Sequence, residues 1–507
     1  MQLYVIRCLQ VWVCSREPHV NAIDVRATCA GRLRTGRTPE ETRALAMRDY
    51  AESVAFLGQW GRFQQVVFFL LCATIVPNGF GAFNLVFLTD VPRHHCALPD
   101  VNLTEDWRDS IIPVQVVDGN QQLSRCSRFR LDVVRNLSAQ GLVPGRDVNL
   151  TDLEQEGCVD GWSYSRDVYQ STIVSEFDLV CSEQWKLTFT STVFFVGVLL
   201  GSFFSGQLSD RFGRKPVLFA TMAVQMFFTF IQVFSTSWVM FTVLLFINGL
   251  GQISNFVAAL VLGTEILTGH VRVLYSSMGS CLSFTLGYMM LPIFAYFLRD
   301  WTSLLLALSL PCLAFLPLWW WVDKPDSKET HSAFDLVRTR SIRITTLLLC
   351  LVTFSSCTGY YGLSFNTSQL HADPYMSCFI SAAVEVPAYI SGWLVLRYFP
   401  RRLSICCSFL LEAVSLFLIQ LVPQTLTNLS LTLEMLAKYF ITVTFSMMFA
   451  YIAEIYPTLL RNTAVGICST VGRLGNCIAP FLDEVSMRHW KTNPNPCSTA
   501  GQSTVMS

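Results

Sequence analysis

Gly206-Gln207-Leu208-Ser209-Asp210-Arg211-Phe212-Gly213-Arg214-Lys215 is a polar stretch, with more basic than acidic residues, in an otherwise apolar part of the chain. It joins two apolar runs, which span about 187–208 and about 216–235. A helix needs roughly 20 apolar residues to cross the hydrocarbon core of a bilayer, so each run is long enough to cross it once. The stretch is therefore predicted to be a tight connection between two membrane helices.

The composition of the whole chain agrees with a lipid environment. Of its 507 residues, 52% are hydrophobic and 14% are charged, and its mean hydropathy is +0.43. This is too apolar for a soluble protein of this length, and 36 basic against 36 acidic residues leave no net charge that would favour a nucleic-acid partner. The same length criterion predicts eleven membrane helices, near 66–89, 187–208, 216–235, 239–264, 271–298, 303–322, 343–365, 376–398, 404–423, 431–456 and 463–482.

Basic residues set the predicted orientation. Short connections rich in Lys and Arg stay in the cytoplasm, and here they follow the even-numbered helices, as at Arg214, Arg401 and Arg461. The N-terminus is therefore predicted to be cytoplasmic. Glycosylation sequons, which are used only on the outer side, agree with this orientation, because all five fall on the opposite face, at Asn102, Asn136, Asn149, Asn366 and Asn428.

The long connection at 90–186 has the features of an extracellular domain. It holds three of the sequons, at Asn102, Asn136 and Asn149, which are the predicted glycosylation sites. An even number of cysteines in an exposed outer segment predicts two disulfides, and four cysteines allow three pairings. The four are Cys96, Cys126, Cys158 and Cys181.

Two spacings indicate an internal duplication. Glu265 precedes Arg272 at the end of the fourth helix, and Glu454 precedes Arg461 at the end of the tenth helix with the same spacing. A second offset, from the basic pair at 214–215 to the pair at 401–402, is nearly equal to the first. The pattern favours two helical halves in the same orientation, as in many transporters. The alternative is that any cytoplasmic helix end attracts arginine.

The stretch at 206–215 resembles the signature loop of the major facilitator superfamily. Finer matches resemble its organic cation/carnitine transporter subfamily: Pro77-Asn78-Gly79-Phe80, Gly251-Gln252-Ile253-Ser254-Asn255 and Glu454-Ile455-Tyr456-Pro457. The resemblance covers nearly everything from 47 to about 481. It implies an all-α major facilitator fold of two six-helix repeats. It also implies a multi-pass plasma-membrane transporter, not an enzyme, that moves small organic cations or zwitterions such as carnitine or ergothioneine by alternating access.

Two departures from that family keep alternatives open. No twelfth apolar segment follows 463–482, and the central connection is short and lacks the Pro-Glu-Ser-Pro-Arg motif of the family. A non-transporting or regulatory form of the same family is therefore a rival, and a membrane receptor is a second one. The predicted organisation is a cytoplasmic tail at 1–65, a first helix at 66–89, an extracellular loop at 90–186, the rest of the N-terminal bundle at 187–322, a shortened cytoplasmic loop at 323–342, a C-terminal bundle of five helices at 343–482 and a polar tail at 483–507.

Ionisable side chains inside membrane helices are candidate functional groups, because each is costly in lipid unless it is paired or hydrated. The resemblance implies that Arg473 binds a substrate carboxylate, for which its forked guanidinium suits two oxygens; the alternative is a pair with a helix carboxylate. Glu385 is expected to attract the cationic end of the substrate, or else to help Pro387 break its helix. Glu434 and Lys438 lie four residues apart on one helix face and are expected to form an internal ion pair.

Aromatic side chains are the expected receptors for a methylated ammonium, which cannot donate hydrogen bonds but is attracted to ring faces. Taken singly, each such residue is more often part of a core. The resemblance favours Phe284 and Phe445 as cavity walls, and the other candidates are Tyr288, Tyr360, Tyr361 and Tyr389.

The resemblance also implies a coupling ion and a set of gating residues. Asn78 and Asn255 match positions of a sodium-linked site, although Phe256 stands where the family pattern carries Tyr. No other cofactor is expected, and the expected partners are a small organic molecule and the lipid bilayer, with the chain acting as a monomer. The predicted gating residues, whose cytoplasmic ion pairs would break on opening, are Gly206, Asp210, Arg211, Gly213, Arg214, Lys215, Glu265, Arg272, Glu454 and Arg461.

Overall fold

Each of the eleven predicted segments coincides with a helix in the described part of the computed structural model of this chain. The structure describes residues 60–99, 103–117, 120–267, 269–311, 340–366, 373–422, 426–455 and 458–492. The membrane helices are α1 (Arg62–Phe83, followed by the short turn Leu85–Leu88), α2 (Trp185–Phe212), α3 (Arg214–Gln232), α4 (Trp238–Ile266), α5 (Gly269–Leu274, the π-helical turn Tyr275–Gly279 and Ser280–Phe297), α6 (Trp301–Ser309), α7 (Arg340–Asn366), α8 (Pro374–Tyr398), α9 (Arg401–Leu421), α10 (Thr427–Ile455) and α11 (Thr458–Thr492).

The helix bounds differ from the predicted ones mainly at the two ends of the described chain. α1 begins at Arg62 rather than at 66, and α11 continues to Thr492 rather than ending at 482. No Gly or Pro interrupts the sequence between Pro480 and Pro494, so the backbone of α11 continues past the apolar part of the segment. Much of the predicted sixth segment and all of the loop at 323–339 lie outside the described residues.

Length and composition alone mark seven of the described helical segments as able to cross a membrane. They include α1, α2, α4, α7 and α8, whose most apolar windows have a mean hydropathy between 1.4 and 2.0. The other two of the seven are Ser280–Phe297 of α5 and Asn428–Met448 of α10. The chain is therefore a polytopic helical membrane protein.

Helix packing repeats itself between the two halves. In the first half α1 packs on α5, α2 on α4, and α3 on α4; in the second, α7 packs on α11, α8 on α10, and α9 on α10. Advancing each helix of the first half by six gives its counterpart in the second. The halves meet at two interfaces, α5 with α8 and α2 with α11. Replacing each helix by its counterpart in the other half turns one interface into the other. This is the packing expected of a duplicated six-helix unit.

Close approach of the helices depends on glycine. A Cβ atom added at Gly79 of α1 would lie 2.1 Å from the backbone oxygen of Phe284 on α5, and one added at Gly287 would lie 2.1 Å from the backbone oxygen of Val76. A Cβ at Gly201 on α2 would lie 2.6 Å from the backbone oxygen of Leu250 on α4. Small residues allow such contact between membrane helices.

The connection between α1 and α2 folds into a small domain, called the outer domain because it is predicted to be extracellular. Two of its three two-stranded antiparallel sheets pair residues far apart in sequence, and the two disulfides of the same segment reinforce this pairing. A cluster around Trp107, Ile111 and Phe129 forms its apolar core. The strands are β1 (His94–Cys96) with β6 (Trp162–Tyr164), β2 (Val114–Val117) with β3 (Asn120–Leu123), and β4 (Ser127–Phe129) with β5 (Gln155–Gly157).

Candidate functional site at the centre of the membrane

A buried carboxylate lies where the two bundles meet. The side chain of Glu385 on α8 is fully buried. Its Oε1 atom lies 3.1 Å from the Nζ atom of Lys438 on α10 and accepts a 2.7 Å hydrogen bond from the hydroxyl of Tyr360 on α7. Its Oε2 atom accepts a 3.0 Å hydrogen bond from the hydroxyl of Thr285 on α5. Helix α8 continues through Pro387, so the expected break there does not occur.

Lys438 is held by a carboxylate on another helix. Its side chain is 1% exposed, and its ion pair with Glu385 joins α10 to α8. The ammonium also donates to the hydroxyl of Ser364 on α7. Glu434, the partner expected from the sequence, is buried one turn earlier on α10 and adds a longer-range attraction to Lys438. An ion pair this deeply buried is costly to form and costly to break from one side.

Aromatic rings surround the ammonium of Lys438. The Nζ atom lies 3.8 Å from the ring centroid of Tyr360, 5.8 Å from that of Tyr288 and 5.9 Å from that of Phe83. These distances are within the range of cation–π attraction. Phe83 and Tyr288 belong to the N-terminal half, whereas Tyr360 belongs to the C-terminal half, so the aromatic cage is completed only when the halves are together.

The remaining predicted aromatic residues extend this cage. Phe445 stacks on Tyr360 with centroids 5.4 Å apart, and Tyr361 stacks on Phe83 at 5.8 Å. Phe284 meets Phe83 edge to face at 6.1 Å. Tyr389 is buried one helical turn beyond Glu385. With Tyr288 and Tyr360 included, the structure thus brings all six predicted aromatic residues into the central region.

Phe83 was not among the predicted residues, although it contacts more of them than any other ring described above. It stacks on Tyr288 with centroids only 3.9 Å apart. The sequence offers one hint, because Phe83 lies one helical turn after Gly79. In the structure, Gly79 is where α1 touches the backbone of α5. Sequence periodicity alone does not distinguish such a ring from a core phenylalanine, because both are buried.

Arg473 presents its guanidinium beside the cage. Its side chain is half-buried on α11, and its Nη1 atom donates a 3.4 Å hydrogen bond to the hydroxyl of Tyr361. Among the described residues, no acidic group lies within ion-pair distance of Arg473. The expected alternative, a pair with a helix carboxylate, is therefore not seen in this part of the chain. A guanidinium in this setting is suited to an anionic group of a ligand.

The two predicted sodium-site asparagines lie in contact. The Nδ2 atom of Asn78 on α1 donates a 2.9 Å hydrogen bond to Oδ1 of Asn255 on α4. Both side chains are 1% exposed. The backbone oxygen of Asn78 accepts from Gln252, while the side-chain Oδ1 atom of Asn78 is buried with no hydrogen-bond partner among the described residues. The pair therefore offers one uncommitted amide oxygen.

The predicted gating loop between α2 and α3 is pinned to α4. The Nε atom of Arg214 lies 2.9 Å from Oε1 of Glu265, and its Nη1 atom donates to Ser209. Gly213 has a φ of +90°, which favours glycine and permits the tight turn between the helices. A Cβ at Gly206 would meet no atom of the described residues within 4 Å, so Gly206 does not set how closely the helices approach each other. Gly201, more than a turn earlier, has that role.

The other predicted gating residues are exposed, half-buried or have side chains outside the described residues. Arg272 is exposed and donates from Nε to the backbone oxygen of Leu267 at 3.0 Å. Arg211 is exposed and its guanidinium lies 5.6 Å from the Phe212 ring centroid, and Lys215 is half-buried at the start of α3. The side chains that lie outside the described residues are those of Asp210, Glu454 and Arg461.

Contacts between the two halves also lie on the predicted outer side of the central site. Tyr375, at the start of α8, stacks on Phe87 with centroids 5.6 Å apart and meets Tyr169 and Tyr296, each at 5.7 Å. Its hydroxyl donates a 3.0 Å hydrogen bond to the backbone oxygen of Val168. One C-terminal-half residue is thus surrounded by residues of the N-terminal half and the outer domain.

The outer domain contains the two expected disulfides in a definite pairing. Cys96 is bonded to Cys158, and Cys126 is bonded to Cys181. Asn136 and Asn149 are exposed, as glycan attachment requires, whereas Asn102 lies outside the described residues.

Comparison with known proteins assigns the class. Residues 176–481 match the family model described as Major Facilitator Superfamily, so this chain is a multi-pass membrane transporter rather than an enzyme. It belongs to the major facilitator superfamily and, within it, to solute carrier family 22. A plasma-membrane location agrees with that membership.

Individual relatives make the placement specific. The chain is 48% identical over 480 residues to solute carrier family 22 member 4 of Mus musculus, covering 86% of this chain and 87% of that protein. It is 46% identical over 480 residues to the organic cation/carnitine transporter 2 of Homo sapiens, covering 86% of each chain. Among solved structures, the inward open xylose transporter XylE from E. coli aligns with 59% of this chain and 78% of its own, at 15% identity and a TM-score of 0.47.

Proposed function

We propose that this chain transports organic cations and zwitterions, such as carnitine or ergothioneine, by alternating access. The observation that carries the proposal is the pairing of two unlike subsites in one enclosed region. One is Arg473, which has no carboxylate partner among the described residues, and the other is the aromatic cage around Glu385. The printed sequence also resembles relatives named as organic cation/carnitine transporters.

The two subsites divide the work of recognising a zwitterion. The guanidinium of Arg473 would bind the substrate carboxylate, and Tyr361 would hold that guanidinium in place. The rings of Phe83, Tyr288 and Tyr360 would receive the methylated ammonium. A substrate that carries both groups gains from both subsites, whereas a simple cation gains only from the cage.

Alternating access is supported by where the two halves touch. Tyr375 closes the outer side, and the bond between Thr285 and Glu385 joins the halves at the centre. The two interfaces between the halves, α5 with α8 and α2 with α11, are equivalent under the repeat. This symmetry suits a rocking motion of one half against the other about this centre. In this proposal the chain works as a monomer, since both halves of the chamber come from one chain.

Sodium linkage is a further part of the proposal. Sodium prefers uncharged oxygens, and the buried Oδ1 atom of Asn78 offers one beside α4. Asn255 contributes by fixing the orientation of Asn78 through their hydrogen bond. A sodium ion there would lie close to where α1 packs on α5, and so near one wall of the chamber.

Uptake of two labelled probes tests the proposal. Cells expressing the chain are given carnitine, which carries a carboxylate, or tetraethylammonium, which does not, with and without sodium. Loss of a charged hydrogen-bonding group is worth about 1.5–3 kcal/mol, or roughly 10- to 100-fold in affinity. We therefore expect Arg473→Gln to reduce carnitine uptake at least about tenfold and to leave tetraethylammonium uptake within about twofold, with sodium removal reducing carnitine uptake.

Surface expression is measured for every variant, and Arg473→Lys is the matched control that keeps the charge but loses the fork. Equal loss of both probes in Arg473→Gln would contradict the assignment of Arg473. Absence of any uptake by a chain that reaches the surface would contradict transport itself and support the non-transporting rival.

A further inference from the structure

Lys438 occupies the place that the proposed function gives to a substrate ammonium. Its Nζ atom lies 3.1 Å from Glu385 and 3.8 Å from the centroid of the Tyr360 ring, and the rings of Phe83 and Tyr288 lie within 6 Å. This is the geometry of a bound ammonium in an aromatic cage. The ammonium here belongs to the protein.

A substrate cation has no access to Glu385 while Lys438 is in place. One carboxylate oxygen is occupied by Lys438 and by the hydroxyl of Tyr360, and the other accepts from Thr285. The lysine is 1% exposed and the glutamate 0%, so no space for a second cation remains between them. Two positive charges in one buried cage would also repel each other strongly. Binding of an ammonium therefore requires Lys438 to move.

A second carboxylate is within reach of the same lysine. Glu434 lies four residues before Lys438 on α10, which places the two side chains on one helix face. It is buried, and it already attracts the Lys438 ammonium. The four-carbon stem of lysine is flexible enough to swing by one turn. Lys438 can thus exchange one buried carboxylate for another without entering lipid as an unpaired charge.

We propose that Lys438 is a tethered competitor for the ammonium subsite, moving from Glu385 to Glu434 when an organic cation binds. The inference rests on the proposed function, because it uses the same cage. Before binding, the lysine neutralises Glu385 and keeps the cage closed. After binding, the substrate ammonium neutralises Glu385 and the lysine is neutralised by Glu434. Lys438 is a specificity-determining residue in this scheme, since every cation must outcompete it.

The scheme makes opposite predictions for two substitutions. Lys438→Met keeps an unbranched side chain of similar length and removes the competing charge, so the KM for tetraethylammonium and the KM for carnitine should both fall, by about tenfold. Glu434→Gln removes the second carboxylate and makes the lysine harder to displace, so both KM values should rise, by about three- to tenfold. In the Lys438→Met background, Glu434→Gln should have no further effect, because no lysine remains to be received.

A purely structural ion pair would not give these results. Removing one partner would then reduce folding, and neither KM would fall. If Lys438→Met does not reach the surface, Glu434→Gln alone still tests the scheme in a chain that keeps the resting pair of Lys438 and Glu385. Stabilisation by added tetraethylammonium, measured as a melting shift in detergent, should be larger for Lys438→Met than for the unchanged chain.

The outcomes separate this inference from the proposed function. If the unchanged chain takes up carnitine but Lys438→Met at the surface has an unchanged or higher KM for both probes, the inference is overturned. It is overturned equally if Glu434→Gln leaves both KM values unchanged. If the unchanged chain takes up neither probe, the proposed function fails first.

Discussion

The imidazole of His94 makes the outer domain sensitive to pH through a single buried nitrogen. Its Nδ1 atom donates a 2.9 Å hydrogen bond to the backbone oxygen of Pro92, which leaves Nε2 as the nitrogen that would accept a proton. That nitrogen is buried without a hydrogen-bond partner. It lies beside the disulfide of Cys126 and Cys181, whose sulfur atoms are bonded to each other and so are not metal ligands.

Burial lowers the pKa of His94, and the positive charges of Arg125 and His95 lower it further, although the Pro92 carbonyl opposes this. The unfolded chain therefore takes up a proton near pH 6.5, while the folded chain resists it. The stability that the neutral His94 side chain contributes is fully present above about pH 6.5 and is lost as the pH falls below that value. We expect the melting temperature of the protein in detergent to fall between pH 7.5 and 5.5, and His94→Gln to reduce that fall by about 1–3 °C.

Glutamine at this position keeps a polar side chain of similar length but does not titrate. An identical fall in melting temperature for His94→Gln and for the unchanged chain would exclude His94 as the source of the pH dependence.

Among the elements, the contact of α1 with α5 is the one that positions the cage. Phe83 on α1 and Tyr288 on α5 stack because Gly79 lets the two backbones touch. We expect Gly79→Ala to destabilise the protein, since the added methyl would lie 2.1 Å from the Phe284 backbone oxygen, which cannot rotate away as a side chain could. Overpacking of this kind costs about 1–3 kcal/mol.

Gly206 provides a control for the same substitution in a membrane helix. A methyl group there meets no atom within 4 Å, and alanine favours helix over glycine by about 1 kcal/mol. Gly206→Ala should therefore raise the melting temperature slightly, whereas Gly79→Ala should lower it by several degrees and weaken substrate binding. A melting temperature for Gly79→Ala equal to that of the unchanged chain would refute the close approach of α1 and α5.

The sequence predicts where the helices lie but not which side chains pair with each other, and both results have a physical reason. Apolar runs of bilayer length have no alternative to helix, so the positions of the helices follow from the sequence. Which carboxylate pairs with Lys438 depends on desolvation inside the bundle, where a residue on another helix replaces the expected neighbour Glu434. The pairing of Cys96 with Cys158 likewise depends on how the strands of the outer domain meet, because spacing alone allows three pairings.

The same distinction applies to the candidate site. Intramembrane charge marked Arg473 and Glu385 as candidate site residues and Lys438 as a member of an ion pair, because such groups are rare and costly in lipid. The ring of Phe83 carried no comparable signal, since an apolar ring is common in any membrane helix. Its relevance follows only from the packing of α1 against α5.

For the whole molecule, the outer closure depends on how one tyrosine joins the two halves. Tyr375 lies among Phe87, Tyr169 and Tyr296 and also donates to the backbone oxygen of Val168. Aromatic pairs contribute about 0.5–1.5 kcal/mol beyond the area that they bury. Together these contacts contribute enough free energy to shift the equilibrium between the closed and open states of the outer side by more than tenfold.

We expect Tyr375→Ala to favour the outward-open state. A cysteine placed at Ser381, which is fully buried one to two turns below Tyr375, should then react about tenfold faster with a membrane-impermeant maleimide added from outside. Tyr375→Phe keeps the ring contacts and loses only the hydrogen bond to Val168, so its rate should be intermediate. Labelling of the same chain without the Ser381→Cys reporter is subtracted as background. An unchanged rate in Tyr375→Ala, with normal surface expression, would mean that the outer side is held closed by contacts elsewhere, such as the bond between Thr285 and Glu385.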